Sequence, residues 1–188
     1  NKKTREIVPQ LKKVKINLTA IKPIWKIGIN SAFQFTFEVA AFVVALFMAG
    51  KFGKEAIDAH GIAITLASGT YMFASGLSSA GTIRVSNFAA EKNKHETKRA
   101  GNIAVMLVLL CMGFFAIVFA LLSDVLPKIF TADTEILKVS SSLLIIAAFF
   151  QMFDGLQVTS IGILRGIEDV KFPTYITLIG YWVLALPL

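Results

Sequence analysis

Long apolar stretches follow one another along this chain, separated by short polar connectors. They occupy residues 27–49, 57–83, 100–122, 139–164 and 172–188. A helix of roughly 20 apolar residues crosses the roughly 30 Å hydrocarbon core of a bilayer, and the first four stretches reach that length. In lipid only helices and closed barrels satisfy their backbone groups, and long stretches without alternation indicate helices. The pattern predicts an all-α membrane protein, a transmembrane bundle of about five helices.

Composition supports the membrane class and argues against nucleic acid as a partner. Hydrophobic residues make up 55% of the chain and charged residues only 16%, whereas soluble domains are about 25% charged. The net charge of +7 comes from basic residues outside the apolar stretches. That distribution is typical of a protein oriented in a lipid bilayer rather than of a DNA-binding face. The single cysteine, Cys111, excludes a disulfide within the chain.

The distribution of Lys and Arg predicts the orientation. Residues 1–26 and the connectors on their side of the membrane hold fifteen of these residues, and the opposite side holds four. Because cytoplasmic loops are enriched in Lys and Arg, residues 1–26 are predicted to be cytoplasmic. The chain begins with Asn1 and ends within its last apolar stretch, so we expect it to be part of a longer protein.

Two acidic residues lie inside apolar stretches, Glu38 in the first and Asp154 in the fourth. A charged side chain at the bilayer centre costs on the order of 2.5–3.5 kcal/mol, so such residues usually have a function. A shared cation or proton site is the functional interpretation. The alternative is hydrogen bonding between helices that only fixes their packing.

Amide side chains share a helix face with each acid, at spacings of four and of three residues. The two sets are Asn30, Gln34 and Glu38, and Gln151, Asp154 and Gln157. Such faces are expected to point into the bundle, where Asn30, Gln34, Gln151 and Gln157 would form a polar lining. Carboxylate and amide oxygens are suitable ligands for a hard cation.

The second stretch contributes Tyr71, whose phenol can hydrogen-bond a carboxylate or place its ring against a cation. A single tyrosine is more often a packed aromatic. The same stretch has a face of small residues that predicts close helix packing. It consists of Ser68, Ser75, Gly76, Ser79 and Ala80.

Nothing in the sequence indicates an enzyme. We find no glycine-rich phosphate loop, nucleophile elbow or zinc motif. His60 and Asp58 have no second His or Cys at ligand spacing, so no metal site is predicted. Asp133 or Thr134 precedes the fourth stretch in a position to cap the N-terminus of its helix.

Three segments together resemble the MATE family, the multidrug and toxic compound extrusion transporters. They are GLSSAGTIRVSNFAAEKNKHETKRAGN, LPKIFTADTEIL and FFQMFDGLQVTSIGILRGIEDVKFPTYITLIGYWVLALPL. The most specific motifs are DGLQ at 154–157, LRG at 164–166, and YW at 181–182 with Pro187. The resemblance implies a twelve-helix antiporter of two lobes, which exports cationic drugs in exchange for sodium ions or protons and needs no other cofactor.

Within that family the chain resembles the second lobe. Residues 1–26 would be the cytoplasmic connector between lobes, and 27–188 an incomplete C-terminal lobe of a multi-pass protein in a bacterial inner membrane. The resemblance implies that Glu38 and Asp154 are the cation-coupling acids and that Tyr71 belongs to the cation site. Asp133 matches an acid near the outer mouth of some members, although a helix cap explains it equally well. The expected partners are the bilayer, small organic cations and the first lobe.

Two alternatives stay open at this point. A flippase for lipid-linked sugars, from the same superfamily, is expected to hold phosphates with basic residues inside its helices, and the four complete stretches have none at depth. A channel or non-transporting scaffold subunit has no need for two convergent acids. The coupling ion also stays open, because a carboxylate serves sodium and protons alike. The substrate is equally undetermined.

Overall fold

The computed structural model describes residues 18–185, and all regular elements among them are helical. The four long helices are α1 (Leu18–Ala49), α2 (Lys54–Ala90), α3 (Lys94–Leu121) and α4 (Thr134–Gly166). The short helix α5 (Lys171–Leu178) continues as a π-helix over Ile179–Ala185. Short 3₁₀ turns at Gly50–Phe52 and Leu126–Ile129 join α1 to α2 and α3 to α4. The prediction of an all-α fold is confirmed.

The four long helices are longer than the apolar stretches that predicted them, whereas the fifth stretch, 172–188, forms the α-helix only to Leu178 and then the π-helix. α1 begins at Leu18 rather than at residue 27, and α3 begins at Lys94 rather than at residue 100. α2 extends at both ends beyond the predicted 57–83. Hydropathy measures the part of a helix that lies in lipid, whereas helical hydrogen bonding continues into polar sequence outside it. Residues 18–26 of the expected connector are therefore helical, and 1–17 lie outside the described residues.

In the described part of the chain, three helices are both long and apolar enough to cross a membrane. These are Ile24–Phe52, Lys94–Leu121 and Thr134–Gly166. α2 has sufficient length, at 37 residues, but its many Ser, Thr and Gly residues lower its hydropathy. It packs extensively against both α3 and α4, so less of its surface needs to be apolar.

α2 and α4 run side by side in the same direction. Ser78 donates a hydrogen bond to Val158 O at 2.9 Å, and the Thr70 hydroxyl contacts the Gln151 side chain. Farther along, Gly162 faces α2 so closely that an added Cβ would lie 2.5 Å from Ser78 Oγ. Glycine at this position therefore permits the close approach of the two helices.

α3 packs across this parallel pair and completes a three-helix core. Buried Val108 and Met112 of α3 contact Ala74 of α2, and Phe119 of α3 contacts Leu144 and Ala148 of α4. Every one of these side chains is at least nine-tenths buried. The core is therefore built from α2, α3 and α4.

α1 and α5 form a second unit beside the core. Trp182 Nε1 donates to Phe37 O at 3.1 Å, and Thr174 Oγ1 lies 3.3 Å from Asn30 O. The Phe42 ring packs against Tyr181, with centroids 6.0 Å apart. α1 has few contacts with α2 by comparison. This looser packing leaves space between α1 and the core.

Candidate functional site

A cavity of about 270 Å³ lies between α1, α2 and α4. Its lining is rich in hydroxyl and amide groups. The polar and charged lining residues are Ser31, Gln34 and Glu38 of α1, Tyr71, Ser75, Ser78, Ser79 and Thr82 of α2, and Gln157 and Arg165 of α4. Polar helix faces that would be unsatisfied in lipid are thus turned toward one internal space.

Glu38 connects three helices at this cavity. It lies near the middle of α1 and is half-buried. Gln157 Nε2 of α4 donates to Glu38 Oε1 at 3.4 Å, and also lies 3.2 Å from the Tyr181 hydroxyl. The Tyr181 hydroxyl is 3.5 Å from Glu38 Oε1 and 3.4 Å from Gln157 Oε1, so its one proton bonds to one of them at a time.

Asp154 is the second carboxylate near this point. It lies one helical turn before Gln157 on α4, is 9% exposed, and is close enough to Glu38 for direct electrostatic interaction. Among the described residues, none donates a hydrogen bond to its carboxylate or forms an ion pair with it. The structure therefore brings Glu38 and Asp154 together, and a bound cation or proton would relieve their mutual repulsion.

Tyr71 lies on the wall of this cavity. It is half-buried and interacts electrostatically with Glu38, Asp154 and Arg165. In the described part of the chain its hydroxyl has no hydrogen-bond partner. An oxygen in this position is available to a cation or water in the cavity.

The predicted amide lining is divided between the cavity and other surroundings. Gln34 is buried on the cavity wall one turn from Glu38, and Gln157 also lines the cavity. Asn30 does not line it, because its amide donates to Lys26 O of its own helix at 2.7 Å. Gln151 does not line it either, because it is 1% exposed between α2 and α4 and bonds with Thr70. The spacing predicts that both amides join the polar lining. A hydrogen bond within α1 for Asn30, and a contact between α2 and α4 for Gln151, determine instead where these side chains lie.

Asp133 caps α4, as predicted. Its Oδ1 accepts from the backbone N–H groups of Glu135 at 2.9 Å and Ile136 at 3.4 Å. At about 1.5 Å per residue, it lies roughly 30 Å along α4 from Asp154. Asp133 therefore belongs to a different end of the bundle from the two buried acids.

Several cavity residues had no site role in the sequence analysis. The sequence predicts a packing face that includes Ser75 and Ser79, but these residues line the cavity together with Ser78 and Thr82. Their spacing of three and four residues along an otherwise apolar helix is the signal for a wet face. Tyr181 lies within the YW motif, but a tyrosine near a helix end is common in membrane proteins and gave no separate signal.

Comparison with known proteins adds an independent observation. Residues 31–188 match the MatE family model. The probable multidrug resistance protein NorM of Pseudomonas putida is 32% identical over 176 residues, which are 91% of this chain and 38% of that protein. NorM of Brucella suis is 32% identical over 170 residues, 88% of this chain and 36% of that protein. The multidrug resistance protein MdtK of Proteus mirabilis is 29% identical over 186 residues, 97% of this chain and 40% of that protein. The chain thus spans about two fifths of the length of these relatives.

Proposed function

This chain belongs to the MATE family, whose members are multi-pass helical membrane proteins, and on that premise we propose that it is an incomplete second lobe of a cation-coupled antiporter. The complete protein would export organic cations in exchange for sodium ions or protons. The observation that carries this proposal is that Glu38 lies on the wall of a polar cavity and accepts a hydrogen bond from Gln157, one helical turn from the buried Asp154.

The composition of the site supports ion coupling. The Glu38 carboxylate, the Gln157 and Gln34 amides and the Tyr71 hydroxyl line the cavity and offer hard oxygen ligands to a cation there, and Asp154, which does not line it, adds a second acidic group one turn from Gln157. A proton on either acid would relieve the same repulsion. Sodium and protons therefore remain alternatives for the coupling ion, and no further cofactor is proposed.

The size of the cavity supports separate places for ion and drug. Pockets for drug-sized ligands are typically 300–1,000 Å³, and this cavity has about 270 Å³. We therefore assign it to the coupling ion and its water. The drug would bind in a larger space to which the first lobe contributes.

The packing of α1 supports a transmission route between the two sites. Glu38 is on α1, which packs mainly with α5, whereas Asp154 belongs to the three-helix core. A cation bound by both acids would draw the α1–α5 unit toward the core, and its release would allow the unit to move away. Such a difference between two states is the requirement for reciprocal coupling of ion and drug.

The charge of the cavity favours cations over the phosphates of a lipid-linked sugar. Arg165 is the one basic residue among the described residues that line it, and it lies in the last turn of α4. Asp154 is eleven positions earlier, about 16 Å along the helix. The part of the site around Glu38 and Asp154 is therefore acidic, which supports the antiporter over the flippase. The proposed role consists of binding and releasing ions without a covalent step, so we propose a transporter rather than an enzyme.

The proposed location is the bacterial inner membrane, since the three relatives named above are bacterial proteins. Residues 1–26 would lie in the cytoplasm with the turn between α2 and α3. Cysteine labelling of the complete protein from either side of the membrane tests this. Labelling of Lys12 and Asn93 positions from opposite sides would contradict the charge-based orientation.

Efflux of a cationic dye from cells that make the complete protein tests the coupling role. Glu38→Gln and Asp154→Asn retain shape and hydrogen bonding but remove charge, so each is expected to abolish efflux driven by an imposed sodium or proton gradient. The matched control is Glu55→Gln with Asp58→Asn, two exposed acids near the start of α2. It should leave efflux unchanged. Full efflux by the Glu38→Gln, Asp154→Asn double variant at equal expression would refute the proposal.

A further inference from the structure

A second groove, away from the Glu38 cavity, follows the first half of α3 beside the end of α4. Its wider part has a volume of about 610 Å³, with Lys92, Lys94 and Lys98 on the rim and Val105, Ile163 and Ile167 on the floor. A second part of about 540 Å³ shares Asn102 and Val105 with the first. Beyond these two, the described residues that line it are Met106, Leu109, Leu110 and Met152. We call this continuous feature the α3–α4 groove.

The rim of the α3–α4 groove carries three lysine side chains. Lys92, Lys94 and Lys98 are exposed, and none forms an ion pair with a carboxylate among the described residues. The nearby Glu96 is already engaged, at 3.7 Å from Arg99 and 3.2 Å from His95. Three ammonium groups are therefore available to an anion.

The floor of the groove is apolar and lies deeper in the membrane than the lysines on the rim. From Lys94 to Leu110, α3 rises about 24 Å at 1.5 Å per residue, and one leaflet of the hydrocarbon core is about 15 Å thick. The groove therefore extends from the level of lipid headgroups well into the leaflet. Asn102, exposed at the junction, is the one amide among the described residues of the apolar part.

We propose that the α3–α4 groove binds an anionic phospholipid, with its phosphate at the three lysines and one acyl chain along the apolar floor. Lysine is a common phosphate ligand, and basic pockets between membrane helices suit acidic headgroups. A free phosphate would gain only the charge interaction at the rim. A lipid also covers Met106 and Leu110, which are 54% and 66% exposed.

Titration of the complete protein with phosphatidylglycerol, followed by native mass spectrometry in detergent, tests the headgroup part. Each lysine near an anionic membrane surface contributes roughly 1 kcal/mol, so Lys94→Gln with Lys98→Gln should weaken binding roughly 30-fold. Lys22→Gln with Lys171→Gln removes two exposed lysines from the same predicted side, outside the groove, and should bind like the unmodified protein. Unchanged binding in the first variant, or equal loss in the second, would overturn the proposal.

The proposed binding of the acyl chain is tested separately, with variants in which all the lysines are retained. Val105→Phe narrows the floor and should weaken phosphatidylglycerol binding, and water-soluble glycerol phosphate should not displace the bound lipid. Displacement by glycerol phosphate would mean that the rim binds a free phosphate, against the proposal. A photo-reactive benzoylphenylalanine in place of Met106 should label lipid. Labelling of another segment of the protein instead would show that the groove is an intramolecular interface and would also overturn the proposal.

Discussion

Gln157 Nε2 lies 3.4 Å from Glu38 Oε1 and thereby joins α4 to α1 across the cavity. The two residues are 119 positions apart in the chain. Asp154 lies one turn before Gln157. The amide thus links the Glu38 carboxylate to the helix that carries Asp154, so Gln157 is expected to position Glu38 for ion binding.

Replacement of Gln157 by Leu should therefore weaken the binding of the coupling ion rather than prevent folding. A hydrogen bond to a charged group contributes about 1.5–3 kcal/mol, and the long distance here favours the lower end. We expect the sodium or proton concentration for half-maximal dye efflux to rise about tenfold, with the maximal rate largely retained. Ser160→Ala is the control, since Leu156 O of its own helix is the one partner of Ser160 Oγ among the described residues. An unchanged half-maximal concentration in Gln157→Leu would contradict the positioning role.

Gly162→Ala should destabilise the bundle. The new methyl would lie 2.5 Å from Ser78 Oγ and 2.6 Å from Thr82 Oγ1, so these hydroxyls must rotate, at the cost of the Ser78–Val158 hydrogen bond, or α2 and α4 must move apart. Overpacking of this kind typically costs 1–3 kcal/mol. Gly76→Ala is the matched control, because a Cβ there meets no atom within 4 Å and alanine favours helix formation. Thermal unfolding in detergent should show a lower midpoint for Gly162→Ala alone, and equal midpoints would count against the close packing.

Thr70 and Gln151 should behave as a coupled pair. The Thr70 hydroxyl contacts Gln151 Oε1 in a buried position, and Gln151 Nε2 has no partner among the described residues. Thr70→Val leaves the whole amide unsatisfied, and measured interhelical hydrogen bonds in membranes suggest a cost of about 1 kcal/mol.

A double-mutant cycle measures that coupling. Thr70→Val with Gln151→Leu removes both polar groups, so the double variant should lose less stability than the sum of the two single variants. Unfolding free energies in mixed micelles provide the comparison. Strict additivity would mean that the two side chains do not depend on each other.

Asp133 allows its two suggested roles to be separated. Asp133→Ala removes the cap of α4 and should cost about 1 kcal/mol of stability, whereas Asp133→Asn keeps a capping oxygen and should cost much less. If the cap is its whole role, Asp133→Asn retains dye efflux. The control is Glu135→Gln, an exposed acid two positions away. Loss of efflux in Asp133→Asn alone would instead assign its charge to the drug pathway.

The sequence alone identifies candidate site residues where a charged side chain lies inside an apolar stretch. Glu38 and Asp154 were identifiable because charge in an apolar helix is costly, and the helices because their apolar stretches are long. Asn30 satisfies the same spacing rule, but its side chain bonds to Lys26 O of α1, an alternative that spacing does not reveal. The register of α2 on α4 was equally hidden, since it depends on contacts such as Gly162 with Ser78. Tyr181 reaches Glu38 only through the packing of α5 on α1.

The parallel arrangement of α2 and α4 has a consequence for synthesis. Adjacent helices that point the same way require a third helix to return the chain, so partners across this interface are distant in sequence: Ser78 and Val158 by 80 positions, Thr70 and Gln151 by 81. When α2 enters the membrane, α4 has therefore not yet been synthesised, and Thr70 and Ser78 lack the partners that they contact in the folded bundle. Until the ribosome has delivered α4, lipid, water or the insertion machinery must accommodate these hydroxyls. The close interface between α2 and α4 thus forms only after the whole of α3 and much of α4 have been synthesised.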